Sequence, residues 1–448
     1  MKTETIFEHD KPIRKDNFTK EFGEDRWNSL IKHIRRINRR FNPKDNDGGK
    51  KGILNIEHDC IKAGSVVGVI ATPVCEIEIL PKVFKHTEGE EGEKRNRFGL
   101  ARLLNYTLNM PIKELDRAQL ERAGTLLEYY IHIFASRLLS LLLSNLRHEF
   151  VFVEQNSRYL KGRLLVRENI RYNLAHKERF YCRYDEFMTD TLLNRILKFT
   201  CNLLLNFTVS SHTRTLLYSS LDILGEVRDV EITLSDLDRL RLTRLSTDYE
   251  PLIDLVRLFL SCYCPETAAG RHPALAIAFD MNKLFEKFCY RFINRHLDDI
   301  CNYLKGLRVE HHRKYKSLVD EPKKKFYLET DISISDGEDV RVIIDTKYKQ
   351  LVEEVGEGEH HGISRDDMYQ VYAYLRKYDC REGMLLYPLY EGGYNIMKDS
   401  DEYFDMKFDK DTNLHIRQVS LAPLSEDGGG WRNNMIKEFS ECFDWIKV

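Results

Sequence analysis

Apolar residues recur along this chain with two different periods, and each change of period predicts a change of element. Short β-branched runs at 53-ILNIEHD-59, 66-VVGVIAT-72 and 76-EIEILPKV-83, separated by turn residues, predict the strands of a small sheet or barrel. A basic helical segment over about 16–41 and a turn at 43-PKDNDGG-49 precede them. Helical spacing takes over from about 98 to 146 and returns in 188-MTDTLLNRILKFTCNLLLNF-207, where Thr189 and Asp190 are candidate caps. It continues over 236–263 with a break at Pro251. Between these helical stretches, 151–187 alternates like strands around a turn at Lys161-Gly162.

A Gly-His-Pro neighbourhood, 267-TAAGRHPALA-276, is the best candidate for a domain boundary, and the pattern beyond it differs. The helix 280-DMNKLFEKFCYRFINRHL-297 leads through a long polar stretch to two strands in 328-LETDISISDGEDVRVIIDTKYKQ-350. A helix at 364-SRDDMYQVYAYLRKY-378, strands at 383–390 and 414–421, and a helix from about Trp431 to Lys447 complete the chain. No internal repeat at a fixed period is present.

Length bears on domain count: 448 residues exceed one ordinary core, so two or three domains are expected. With 42% hydrophobic and 31% charged residues the composition is that of a folded soluble protein. The 69 basic residues nearly balance the 71 acidic ones, so any attraction to nucleic acid has to be local. The segment 31–51 is strongly basic, and 85-KHTEGEEGEKRNR-97 reads as an exposed charged loop. The apolar run 126–146 is interrupted by Glu128, His132 and Arg137, which makes it a core helix rather than a membrane span. Of the ten cysteines, Cys262 and Cys264 form the only close pair and lack zinc-site spacing. The doublets His311-His312 and His360-His361 read as surface loop residues. The N-terminus does not read as a signal peptide, so a cytoplasmic location with reduced thiols is expected.

The chemistry concentrates in the hairpin. Strand alternation puts Glu329, Asp331 and Ser333 on one face, and Arg341, Ile343, Asp345 and Lys347 together on one face of the second strand. If Asp331 lies opposite Asp345, position 336 pairs with 340, a three-residue loop 337–339 remains, and the two carboxylates converge with Cβ atoms ~5 Å apart. Converging carboxylates repel unless a cation neutralises them, and Mg2+ does so with oxygen ligands while keeping positions for water and phosphate. An adjacent Lys347 ammonium can orient the attacking water and stabilise charge growing on a phosphate. Solvated or salt-bridged acids at strand ends are the plainer reading of the same pattern. Glu286, on the preceding helix, is either a third carboxylate for the metal or a surface salt-bridge residue. Gln370 and Tyr374 fall four apart on one helix face. Tyr369, Tyr372 and Tyr378 leave open that this helix only packs.

In this order, the Glu286 helix, the Asp331 strand, 343-IIDTKYK-349 and 369-YQVYAY-374 resemble the PD-(D/E)XK nuclease superfamily, in the branch with a Gln-x-x-x-Tyr helix. The phrasing 329-ETDISI-334 and 344-IDTKYK-349 is similar to the McrC family, the nuclease subunits of McrBC modification-dependent restriction systems. The likeness extends to 77-IEILPKV-83, 161-KGRLLVRENIR-171, 190-DTLLNRILK-198 and 281-MNKLFEKF-288, so that it covers about 75 to 390. The resemblance implies Asp331 and Asp345 as metal ligands and Lys347 as the catalytic lysine. It implies supporting roles for Glu286, Gln370 and Tyr374, and a Thr346 carbonyl facing the metal. It also implies Mg2+ as cofactor, modified double-stranded DNA as substrate, no membrane, and a hexameric AAA+ GTPase of the McrB type as partner. No G-x-x-x-x-G-K-[ST] phosphate loop occurs here, so the motor has to be another protein.

The expected fold class is therefore α/β, mixed α+β overall. An N-terminal α+β region, 1–265, docks on and stimulates the GTPase, and a PD-(D/E)XK restriction-endonuclease-like mixed sheet flanked by helices occupies 266–448. Lys323, Lys324 and Lys325 are candidate contacts to the DNA backbone. Two rivals remain: a stand-alone nuclease or repair enzyme of the same fold, and a non-catalytic adaptor of the motor.

Overall fold

The computed structural model describes residues 3–10, 12–41, 52–84, 89–108, 115–244, 246–264, 273–321, 323–353, 360–399, 405–426 and 430–446. The turn expected at 43–49 and most of the boundary neighbourhood at 267–276 lie outside the described residues. The fold is mixed α and β, as expected. The division is not one cut near 265: one compact unit comprises residues 1–126 and 264–448, and the other comprises 127–263. The second crossing lies at 263/264. The first, at 126/127, was not foreseen, because it is set by strand pairing between segments two hundred residues apart.

In the first unit, a five-stranded sheet runs in the order Thr3–Phe7, Glu76–Leu80, Val66–Ala71, Ala274–Asp280 and the two-residue Tyr263–Cys264. Thr3–Phe7 is parallel to Glu76–Leu80, whereas Val66–Ala71 is antiparallel to both of its neighbours. Gly68, at φ +132°, pairs with Ala278, and a Cβ there would meet the Ile277 carbonyl oxygen at 2.0 Å. Only glycine lets these two strands approach. Leu54–Glu57 pairs instead with Cys60–Ala63 in a separate three-stranded sheet completed by Ile13–Arg14, so the strand candidates divide between two sheets. The basic segment forms helices Lys15–Phe22 and Glu24–Phe41, whose Trp27, Leu30, Ile34 and Ile37 enter the core shared with these sheets.

Of the run 85–97, the part from Glu90 is not a loop but the first turns of a helix, Glu90–Leu108, and 85–88 lie outside the described residues. Glu90, Glu91 and Glu93 suit the positive N-terminal end of the helix dipole. Asn96 and Arg97 are buried, because Arg97 has a carboxylate waiting on a strand of the sheet. Among the described residues of 98–146, this helix is followed by Arg117–Ala123 and Leu126–Asn145.

The second sheet of this unit positions the candidate chemistry. Its order is Arg308–Arg313, Thr330–Asp336, Asp339–Thr346, Glu382–Leu389, Asn413–Ser420 and Asp405–Lys407. The first pairs are antiparallel and the next two parallel. Buried on both faces, the middle strands read as continuous apolar runs; each buried Ile of 342-VIID-345 contributes roughly 1.5–3 kcal/mol. Helix Arg365–Tyr378, capped by Ser364, packs Val371, Tyr374 and Leu375 into the cluster that holds Ile343, Leu385 and Tyr387. Helix Met281–Ile300, capped by Asp280, packs Phe288 and Phe292 against Phe439 of Trp431–Cys442.

The hairpin register holds at the site and shifts at the turn. Ile332 faces Ile344 and Ser333 faces Ile343, but a bulge at Arg341 brings Asp336 opposite Asp339. The loop is two residues, Gly337 and Glu338, rather than three. Gly337 at φ +62° occupies the first loop position, where a primed hairpin turn favours glycine.

The second unit, 127–263, surrounds helix Leu126–Asn145, which is long and apolar enough to span a membrane by length and composition. Its Tyr129, Tyr130, Ile131, Phe134 and Leu138 are buried, and its buried Glu128 accepts bonds from the Thr208 hydroxyl and the Val209 N–H. Helix Leu192–Leu204 is capped by Thr191, not by Thr189 or Asp190; Asp190 instead binds Arg195 and Arg228. Pro251 stands at the start of helix Glu250–Cys262, where its missing N–H does no harm. The strands Glu149–Ser157, Phe180–Met188 and Arg163–Leu164 form a three-stranded sheet, and an unexpected helix, Val166–Asn173, lies between them in sequence.

Candidate active site

Extending the hairpin register by one residue from the Ile332–Ile344 pair sets Asp331 across from Asp345. Asp345 is fully buried. Its Oδ2 meets Lys347 Nζ at 2.6 Å in a charge-assisted pair, and no other donor bonds either carboxylate oxygen among the described residues. Burial pushes the Asp345 carboxyl up to about 7, the charge of Asp331 acts in the same direction, and Lys347 opposes both. An under-bonded buried carboxylate costs several kcal/mol unless something else satisfies it.

Asp331 is better held. Its Oδ2 accepts from the Thr346 N–H and from the Thr346 hydroxyl, each at 2.8 Å. Burial raises its carboxyl above the usual range, the Thr346 N–H works against this, and the charge of Glu286 adds to the rise. Thr346 thus acts through its N–H and hydroxyl as a clamp on Asp331.

Lys347 donates to Gln370 Oε1 at 3.0 Å, and Gln370 Nε2 donates to the Tyr374 hydroxyl at 2.8 Å. The i, i+4 pair on the helix therefore forms a relay onto the lysine. Burial alone would lower the affinity of Lys347 for its proton, but Asp345, with Asp331 and Asp367, raises it on balance, so the side chain is a cation.

Glu286 approaches from helix Met281–Ile300 and is close enough for its charge to act on Asp331. Its Oε1, however, meets His311 Nε2 at 2.8 Å and His312 Nε2 at 3.2 Å. This corrects the reading of the His311-His312 doublet as loop residues: both lie on strand Arg308–Arg313. His361 is likewise buried, against Tyr394 and the Val352 carbonyl.

Other participants escaped sequence reasoning. Asp367 holds Lys349 at 2.5 Å and reaches Lys347 at 4.0 Å; burial would raise its carboxyl, but bonds from Lys349 and Ser364 bring it below the usual range. Its position three residues before Gln370 was the available signal. Tyr348 donates to Glu8 Oε1 at 2.5 Å, a contact no local pattern announces. Lys323, Lys324 and Lys325 are exposed, and the last begins a strand that carries exposed Phe326 and Tyr327.

The residues present fit a hard divalent cation. Two converging carboxylates, one with an orphaned buried oxygen, offer an all-oxygen donor set of the kind Mg2+ takes.

Comparison with known proteins adds the family. The fold is similar to a chain in the refined half-complex from a tetradecameric assembly of Thermococcus gammatolerans McrB AAA+ hexamers with bound McrC, with 22% identity, 98% of this chain and 99% of that chain covered, and a TM-score of 0.75. It is also similar to a chain in the cryo-EM structure of the Thermococcus gammatolerans McrBC complex, with 24% identity, coverage of 66% and 88%, and a TM-score of 0.53. No curated protein matches. The family model described as McrBC 5-methylcytosine restriction system component matches residues 61–388, well over half of the chain. The protein belongs to the McrBC 5-methylcytosine restriction system component family.

Proposed function

We propose that this chain is the McrC-like nuclease subunit of a modification-dependent restriction system, with a PD-(D/E)XK centre that hydrolyses DNA phosphodiester bonds using Mg2+, and that it stimulates a separate AAA+ GTPase. The observation that carries this reading is Asp345: fully buried, short of hydrogen-bond donors, beside Asp331 and against the Lys347 ammonium. A structural carboxylate at such depth would be paired on every side.

Asp331 and Asp345 would hold the ion, with Glu286 as a third carboxylate when its imidazole partners release it. When bound, Mg2+ supplies a Lewis acid that lowers the pKa of water and neutralises phosphate charge. Thr346 fixes the rotamer of Asp331. Lys347 orients the attacking water and stabilises the charge that grows on the scissile phosphate. Gln370, bridging Lys347 to Tyr374, holds the lysine in place and leaves the rest of its ammonium for the reaction. Lys323 to Lys325, interleaved with Phe326 and Tyr327, suit a DNA backbone and its bases.

The partner reading is supported by the composition of the similar assembly, McrB AAA+ hexamers with bound McrC, and by the surface of the second unit. Phe150 and Phe152 alternate along one strand, Phe187 pairs with Phe150 on the next, and all three are exposed. An aromatic patch of this kind marks a docking surface.

The deciding experiment combines purified chain, a GTPase partner of this kind, methylated DNA and Mg2+. Cleavage that needs the partner and GTP, and that Asp345→Asn abolishes, is the expected result. Rapid cleavage by the chain alone would favour a stand-alone nuclease. Restriction that survives Asp345→Asn would make the chain an adaptor.

A further inference from the structure

Glu286, His311 and His312 bring two imidazoles and a carboxylate to one point. Their nearest donor atoms all lie within 4.8 Å of one another. Adjacent strand residues ordinarily face opposite ways. His312 departs from that rule, with φ at +54°, in the left-handed region that disfavours a non-glycine residue by about 1–3 kcal/mol. The two imidazoles thereby converge, with ring centroids 3.7 Å apart and both Nε2 atoms directed at Glu286 Oε1.

Each ring is also held from behind. His312 Nδ1 lies 2.9 Å from Glu329 Oε1, and Glu329 is itself held by Lys314 at 2.8 Å. A carboxylate on the far nitrogen is the device that fixes the tautomer of a ligating histidine and leaves Nε2 free for a metal. His311 stacks on Tyr290 at 4.7 Å and 12°.

We infer that Glu286, His311 and His312 form a site for a borderline-soft divalent ion of the Zn2+ class, distinct from the oxygen-lined Asp331–Asp345 pair. Imidazole nitrogen selects such ions over Mg2+. Ligand atoms 2.0–2.2 Å from a tetrahedral ion stand roughly 3.3 Å apart, and the Nε2–Oε1 separations of 2.8 and 3.2 Å are already near that spacing. Three protein ligands leave a position for water. The backbone register sets His312 across from Asp331, and the charge of Glu286 acts on Asp331, so the site neighbours the acidic pair although His312 is turned away from the Asp331 face. It also draws on Glu286. An occupied nitrogen site keeps Glu286 for itself, and Mg2+ is then held by Asp331 and Asp345 alone, so the two ions can bind together.

Co2+ titration of chelator-stripped full-length protein in saturating Mg2+ tests this, because Co2+ reports its ligands in its visible spectrum. One equivalent should bind with nitrogen- and oxygen-ligand bands; the His311→Gln/His312→Gln double variant should lose it, and Asp345→Asn should keep it. Glu329→Gln, which alters a partly exposed side chain outside the ligand set, should weaken binding roughly 10- to 100-fold without unfolding the chain. No binding in Mg2+, unchanged affinity in both histidine and Glu329 variants, a sulfur-to-cobalt charge-transfer band, or loss in Asp345→Asn would each overturn the site. The titration reads no cleavage, so a failure of the nuclease reading leaves its result intact.

Discussion

Glu78 and Asp345 are both fully buried carboxylates on interior strands, one in each large sheet of the first unit, and the protein treats them in opposite ways. Glu78 receives Arg97 Nε at 2.9 Å and Nη2 at 2.5 Å, with the Leu126 N–H at 3.2 Å. Its charge is matched and its lone pairs are filled. Asp345 has the Lys347 ammonium on one oxygen and no other donor among the described residues. The first arrangement holds helix Glu90–Leu108 to its sheet. The second holds only Lys347 and leaves the carboxylate short of partners, a cost that the proposed metal site would offset.

The largest effect that would break this contrast is catalytic. Lys347→Ala should lower DNA cleavage by about 10³-fold or more, about 4 kcal/mol of transition-state stabilisation, with partner binding unchanged. Loss of binding, measured by co-sedimentation, would mean that the lysine is structural.

Stability should separate the two carboxylates next. Glu78→Gln leaves Arg97 buried without its charge partner and should destabilise the fold by ~3–5 kcal/mol in denaturant melts. Asp345→Asn should leave metal-free stability unchanged or slightly raised. If both variants lose comparable stability, the contrast is void.

Mg2+ sharpens the comparison from the other side. At a hundred times its dissociation constant, the ion should stabilise the wild-type chain by ~2.7 kcal/mol, and Asp345→Asn should lose that gain while Glu78→Gln keeps it. A Mg2+ shift retained in Asp345→Asn would place the ion elsewhere.

The smallest effect concerns Glu8, a third deeply buried carboxylate, intermediate between the other two. Tyr348 and the Lys82 N–H fill its Oε1, yet burial still pushes its carboxyl up to about 7 from 4.5. The folded chain keeps a proton that the unfolded chain releases. Stability from this group is therefore present below pH 4.5 and lost as pH rises through 7, at about 1.4 kcal/mol per pH unit between the two values. Glu8→Gln should remove that slope, and an unaltered pH profile would show that Glu8 ionises normally in the fold.

Much of the acidic site was legible because its spacing is local. Period-two alternation placed Asp345 beside Lys347, helical spacing joined Gln370 to Tyr374, and the register with Asp331 was an assumption that the two-residue turn meets only with the help of the bulge. The bulge at Arg341 moved only the turn. What stayed hidden depends on backbone conformation or distant partners. The left-handed turn at His312 brings two histidines together where alternation separates them, and nothing in the sequence marks it. Arg97 looked like surface because its partner, Glu78, lies in another element. The unit boundaries followed from pairing between Val66–Ala71 and Ala274–Asp280, which no window of local pattern contains.

That pairing also orders events during synthesis. A ribosome that has released the first 260 residues has exposed everything the second unit needs, while the Val66–Ala71 strand still lacks its neighbour on one edge. The segment encoded in the middle can thus finish folding before the sheet begun at the N-terminus, and that open edge is the nascent chain's point of greatest exposure to misassociation.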